Sequence, residues 1–178
     1  MQTTSSSLQQ QEKQDVSHIE NILNDKSLTF AEKVISIKNV ETHNKKSTAG
    51  DIVIVDVDLA MAQDSTGPLA IRSLNEMGID KLHDPSKALL VIDHTFPAAD
   101  EKVANLHYVS KHNCMLVEGS ISHQHILEYL ASPGMMILGA DSHTCQAGCV
   151  SAFASGIGST EIAEPGLQVN YGCECQKP

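Results

Sequence analysis

The residues best able to do chemistry sit in three short stretches. Gly139-Ala140-Asp141-Ser142-His143-Thr144 follows the apolar run Met135-Met136-Ile137-Leu138 and precedes a small-residue segment from Ala147 to Gly158. A buried strand that breaks at glycine and ends in Asp, Ser and His puts proton-handling side chains where open α/β sheets bind ligands, at strand carboxyl ends. Val91-Ile92-Asp93-His94 repeats the pattern, and Ile121-Ser122-His123-Gln124 adds a further histidine. A carboxylate beside His94 raises the imidazole pKa and fixes its tautomer, which suits a general acid. The competing reading of Asp93-His94 is a solvated loop histidine with an acidic neighbour, and that of His123 is a structural histidine near a helix start. Asp141-Ser142-His143 says more, because its polar residues are flanked by an apolar strand and a glycine-rich segment.

Elements must hold these residues, and composition narrows what they are. In 178 residues, 41% are hydrophobic but only 3% aromatic, with no Trp. A core that is mainly aliphatic suits strands covered by helices on both faces. Twelve basic against twenty-two acidic residues give a net charge of -10, which repels phosphate backbones and offers no polybasic patch for lipid. Neither nucleic acid nor membrane is an expected partner. No apolar run approaches the roughly 18 residues of a spanning helix, and the N-terminus lacks the apolar core of a secretory signal. A cytoplasmic location is expected. Five cysteines, an odd number, then read as thiols or ligands rather than a disulfide framework.

Residues 1–27 are expected to form a disordered or weakly ordered extension, since the Ser-, Thr- and Gln-rich start cannot bury enough apolar surface to offset ordering. Thr29 three residues before Glu32, with Val34, Ile35 and Ile37 following, predicts an N-capped helix ending near Asn39. A strand is predicted over Asp51 to Leu59, a loop over Ala62 to Gly67, and a helix opened by Pro68 that stops at Gly78. Further strands are predicted at Ala88 to Ile92, Met115 to Val117 and Met135 to Leu138, with helices at Val103 to Lys111 and His125 to Leu130. This alternation argues for an α/β fold with a mainly parallel sheet and flanking helices over residues 28–163. Residues 164–178, opened by Glu164-Pro165-Gly166 and without periodicity, are expected to be an irregular tail.

Taken in order, the motifs resemble the aconitase superfamily, in particular its 3-isopropylmalate dehydratase large-subunit and homoaconitase branch. The resemblance rests on Leu28-Thr29-Phe30-Ala31-Glu32-Lys33, Asp64-Ser65-Thr66-Gly67-Pro68-Leu69-Ala70, Asp93-His94, Ser122-His123-Gln124, and Pro133-Gly134 leading into Gly139-Ala140-Asp141-Ser142-His143-Thr144-Cys145. It continues through Ser151 to Thr160. Pro68, where aconitases proper carry glutamine, favours the isopropylmalate and homoaconitate branch. Gln63 and Ser65 depart from the His-Asp-Gly-Thr form common in isopropylmalate dehydratases.

The resemblance implies a truncated first domain of the aconitase-type fold. It also implies a hydro-lyase that isomerises 2- and 3-isopropylmalate, or homocitrate and homoisocitrate, by dehydration and rehydration at a 4Fe-4S cluster held by three cysteines. The substrate would be a hydroxy di- or tricarboxylate, and the partner a small subunit carrying the mobile domain. Carried over by position, Asp93 and His94 protonate the leaving hydroxyl, His123 pairs with Asp141, Ser142 hydrogen-bonds the substrate and His143 the iron-bound water. The family's cluster cysteines lie downstream of this region, Cys173-Glu174-Cys175 has the wrong spacing, and no cluster is expected in this chain alone. Two alternatives stand beside this reading. One is a catalytically inactive binding or subunit-interaction module, and the other is a metal-binding or redox protein using Cys145, Cys149, Cys173 and Cys175.

Overall fold

Leu28, Val34 and Ile35 are buried, and they belong to the segment where the Thr29/Glu32 spacing predicts the first capped helix. The structure is a computed structural model and describes residues 16–41, 46–79, 81–94 and 113–163, with the backbone alone at 170–174. The predicted helix at Val103 to Lys111 lies outside the described residues. The chain divides into two units, Met1–Ile54 with Gly172–Pro178, and Val55–Tyr171.

In the first unit, residues 16–24 form a helix, α1, with Ile22 buried on it. This helix falls within the stretch expected to be an extension, and the single apolar anchor at Ile22 accounts for its docking. Beyond it the Asp25 carboxylate accepts from Ser27 N at 2.8 Å and Ser27 Oγ at 2.6 Å, and pairs with Lys46. Helix α2 (Phe30–Lys38) opens with a complete capping box. Glu32 N donates to Thr29 Oγ1 at 3.3 Å, and Thr29 N donates to Glu32 Oε2 at 2.8 Å. Ala49 N donates to the other Glu32 oxygen at 3.2 Å, which ties the cap to the loop before the first strand. These N–H groups, Thr29 foremost, hold the Glu32 carboxyl below the usual carboxylate range.

The strand predicted over Asp51 to Leu59 is two strands, β1 (Ile52–Asp56) and β2 (Leu59–Gln63). Asp58 causes the break. Its carboxylate accepts from Met136 N at 2.7 Å and its own N donates to Met136 O at 2.9 Å, which redirects the chain into a new sheet. Then come α3 (Gly67–Glu76), β3 (Ala88–Ile92) and β4 (Met115–Glu118). Next is α4 (Ser122–His125), continued by a π-helical turn, Ile126–Leu130. Strand β5 (Met136–Gly139) leads into a 3-10 helix, Ser142–Val150, and then β6 (Phe153–Gly156). A last strand, β7 (Asn170–Glu174), pairs with β1 inside the segment expected to be an irregular tail. Pairing through the backbone requires no apolar period, so the composition carried no sign of it.

The five-stranded sheet has the order β4-β3-β2-β5-β6, and each neighbouring pair is parallel. The α/β class read from the sequence is what the chain adopts. On one face Leu59, Met61, Leu89, Val91 and Ile137 pack with Ile126 and Ala147 from the layer of α4 and the 3-10 helix. On the other, Leu74 of α3 packs with Leu82, Cys114, Ala163 and Ala88. Among the described residues no helix is long and apolar enough to cross a membrane.

The order of the strands decides where a ligand goes. From β2 the chain winds outward through β3 to β4, then crosses back to β5 and β6 on the other side of β2. The connections at β2 and β5 leave in opposite directions, which opens a crevice beyond their carboxyl ends. Gly139 sits at this point. A Cβ there would lie 2.2 Å from Thr144 Oγ1 and 3.1 Å from Met61 Cε, and Thr144 is itself buried and bonded to Asp141 O at 2.6 Å. Gly139→Ala should therefore cost about 1–3 kcal/mol in urea unfolding, as overpacking does. Gly148→Ala, with nothing within 4 Å of its Cβ, should stay within about 0.5 kcal/mol of wild type. Equal midpoints for both variants would show that the Gly139–Thr144 packing is not as described.

Candidate active site at the strand carboxyl ends

Asp64 follows β2, Asp93 and His94 follow β3, Ser122 and His123 open α4 after β4, and Asp141, Ser142 and His143 follow β5. All lie at the carboxyl end of the sheet, and the structure gathers them into two clusters.

In the first cluster the Asp93 carboxylate bridges two elements. One oxygen contacts His94 Nδ1 at 2.5 Å, and the other accepts from Ser122 N at 3.0 Å. Asp64, wholly buried, accepts from His94 N at 3.2 Å and stands 3.5 Å from His94 Nδ1. The hydrogen bond that His94 Nδ1 makes to Asp93 is the main cause that pushes the His94 imidazole pKa up; burial opposes it, and the charges of Asp93, Asp64 and Asp141 add to it. The ring itself is 55% exposed. A protonated imidazole with an open face can thus be presented to a ligand while a buried carboxylate fixes its orientation.

In the second cluster Asp141 serves two histidines. His143 N donates to Asp141 Oδ2 at 3.1 Å, capping the 3-10 helix, and His143 Nδ1 lies 3.4 Å from Oδ1. His123 Nδ1 lies 3.8 Å from Oδ2, and the two imidazole rings are 5.1 Å apart. The π-helical turn follows directly after His123-Gln124-His125, with Ala131 N donating to Ile126 O at 2.7 Å. Such single turns are frequent at functional sites. Ser142 is exposed and lines the crevice with Asp141, Gly156, Gly158 and Glu161.

Every site residue read from the sequence is therefore found at one end of one sheet, Asp93 and His94 in one cluster and His123, Asp141 and His143 in the other. Asp64 and Glu161 stand at the same end of the sheet without being singled out by the sequence. Asp64 has the same signal as Asp93 and Asp141, an apolar strand ending in a carboxylate, but the predicted loop begins at Ala62, inside β2. Glu161 accepts from Gly158 N at 2.8 Å, and nothing in its spacing marks it. Among the described residues, Gln63 Oε1 and Ser122 Oγ are buried without a hydrogen-bond partner.

A thiolate set for an iron–sulfur cluster is not formed among the described residues. Cys114 is buried among apolar side chains, which pushes its thiol pKa up. Cys145 Sγ donates to Ser142 O at 3.4 Å, Cys149 is exposed, and neither cluster contains a sulfur. The described residues do not fit that group.

The His94 imidazole should titrate by NMR above the ordinary value of about 6.5, and Asp93→Asn should bring it down. A pKa raised by folding stabilises fully below the unfolded value, and the contribution is lost as pH rises through the folded one. The urea midpoint should fall over that window in wild type and less in Asp93→Asn. An ordinary midpoint for His94 in wild type would contradict the 2.5 Å pair.

Residues 32–175 match the aconitase family (aconitate hydratase). The chain is 39% identical over 142 residues to the 3-isopropylmalate dehydratase large subunit of Elusimicrobium minutum (strain Pei191), covering 76% of this chain and 33% of that protein. It is 42% identical over 146 residues to the large subunit of the same name from Aquifex aeolicus (strain VF5), covering 76% and 33%. With 3-isopropylmalate dehydratase large subunit 1 of Methanopyrus kandleri it shares 39% over 145 residues, covering 76% and 34%. The chain spans about a third of the length of these curated relatives. Since the family match takes in the whole five-stranded sheet and both carboxylate–histidine clusters, this chain belongs to the aconitase family.

Proposed function

We propose that this chain carries the proton-donating part of the site of a cytoplasmic hydro-lyase that interconverts 2- and 3-isopropylmalate, or homocitrate and homoisocitrate, by loss and return of water. The observation that supports it most is the Asp93–His94 pair at 2.5 Å with its raised imidazole pKa. Loss of hydroxide from a hydroxy acid needs a proton at the leaving oxygen, and a protonated imidazole with an open face supplies one. Asp93 and Asp64 stabilise the imidazolium and fix the ring. His123, paired with Asp141, is the second proton-handling group in this reading, and Ser142 hydrogen-bonds a substrate carboxylate. His143 orders water at the mouth. Gln63 Oε1 and Ser122 Oγ, buried and without a partner among the described residues, agree with a polar ligand, because buried polar atoms are otherwise satisfied.

The intact enzymes of this family carry a 4Fe-4S cluster, which supplies Lewis-acid chemistry when bound. In our reading its thiolate ligands belong to the roughly two thirds of the relatives' length that this chain does not span, and a small subunit completes the site.

The test joins this chain to the remaining part of the Aquifex aeolicus large subunit, with a small subunit, and follows dehydration of 3-isopropylmalate. His94→Ala should lower kcat by about 10²–10⁴-fold, as loss of a general acid does, with KM moving only a few-fold. Turnover within about twofold of the parent would reject the role of His94. Activity on homoisocitrate but not on 3-isopropylmalate would place the chain on the homoaconitate branch.

A further inference from the structure

Nine large apolar side chains are exposed among the described residues, and four of them, Val16, Ile19, Leu23 and Phe30, fall within 15 residues of the first unit. On α1 the spacing of three and then four residues puts Val16, Ile19 and Leu23 on one stripe, with exposures of 57%, 38% and 53%. Ile22 and His18, four apart, turn another way: Ile22 is buried, and so is His18 Nε2. The helix is thus docked by one face and open on a second, equally apolar one. Lys33 Nζ donates to Leu23 O at 2.7 Å, which brings the first turn of α2, and Phe30 with it, to the end of α1. The four side chains form a patch on the order of 300–400 Å², a size at which an exposed apolar surface is often functional.

We propose that this patch is a self-association surface, through which two copies of the chain pair about a two-fold axis. The adjoining sequence cannot cover it, since residues 1–15 hold only Met1 and Leu8 as large apolar side chains and residues 42–45 hold none. Val16, Ile19 and Leu23 also precede residue 32, where the family match begins, so their partner is sought in this chain itself rather than in parts common to the family. A lipid surface is disfavoured, because interfacial helices carry Lys and Arg on the polar face, whereas Glu20 is exposed on α1 and the net charge is -10. A two-fold contact presents the same patch twice, so apolar surface meets apolar surface. Two patches bury on the order of 700 Å², and with a polar rim they reach the lower end of specific interfaces, about 1,200 Å² in total. Pairing is therefore reversible and micromolar. It goes beyond the hydro-lyase reading and uses none of the residues at the carboxyl ends of the sheet.

The experiment is sedimentation velocity on the 178-residue chain from about 1 to 200 μM, spanning the expected dissociation constant. A monomer at the low end and a dimer at the high end are expected. Ile19→Glu and Leu23→Ser should each weaken pairing at least about tenfold, as loss of a central apolar contact does, with the far-ultraviolet circular dichroism unchanged because both side chains are exposed. Phe30→Ser, on α2, should weaken it as well, and keeps the test decisive should the α1 variants undock that helix. Tyr129→Ser, equally exposed but in the second unit, should leave pairing as in wild type. A monomer at every concentration, a dimer of equal strength in Ile19→Glu and Phe30→Ser, or an equal loss in Tyr129→Ser would each overturn the proposal. So would a chain that stays monomeric and floats with vesicles of phosphatidylcholine and phosphatidylglycerol, which would make the patch a membrane contact.

Discussion

A carboxylate removed from water must find donors or lose its charge, and the Asp93 side chain, only 6% exposed, finds two from different parts of the chain. His94 is its own neighbour beyond β3, whereas Ser122 N belongs to the start of α4, 29 residues on. Through that second bond the start of α4 is drawn against the end of β3. His123, the next residue along α4, is thereby carried toward Asp141 beyond β5. One buried charge thus places side chains from two strand ends and sets the orientation of the imidazole that it polarises. Burial supplies the strength of this arrangement, because the same contacts in water would be screened and exchanged for solvent.

At the opposite end of the sheet Asp58 has the complementary part. By accepting Met136 N and donating its own N to Met136 O it fixes the start of β2 beside the start of β5. The register of the central pair, Leu59 with Ile137 and Met61 with Gly139, follows from that clamp. The position of Asp64 relative to Asp141 follows from the register. Close packing of Thr144 on Gly139 then leaves no room for the turn after β5 to drift. Site geometry is therefore inherited from pairing at the far end of two strands.

Much of this was legible in the residues. Thr29 and Glu32 announce α2 because a capping box is a local bargain between two side chains and two N–H groups. Ala88 to Ile92 reads as a buried strand because its apolar run is bounded by Asp84-Pro85 and Asp93. The strand end at Asp141 was legible because Gly139 breaks the run before it. Other features depend on partners distant in sequence and left no local mark. The apolar run from Ile52 through Met61 is nearly continuous, so nothing within it shows that Asp58 diverts the chain from one sheet to another. Phe153 to Gly156 reads as a small-residue stretch, and becomes a strand only because β5 offers it a parallel edge. Asp64 went unmarked because the apolar character of Leu59 to Ala62 merged with the preceding run and hid where the strand ended. The placement of the site residues was thus readable from strand ends, whereas the division into two clusters required the crossing of β5 over to the far side of β2.

That crossing also has a consequence for how the protein is made. Strand β2 lies at the centre of the sheet, yet one of its neighbours, β5, is about 70 residues further along the chain. During synthesis at about 5–20 residues per second, one edge of β2 waits for roughly 4–14 s before its partner leaves the ribosome. The waiting segment, Leu59 to Ala62, is apolar, uncharged and free of proline, the type of segment that pairs with foreign strands. A nascent chain of this topology therefore depends on what shelters that edge in the interval, and shortages of holding chaperones should show as insoluble product.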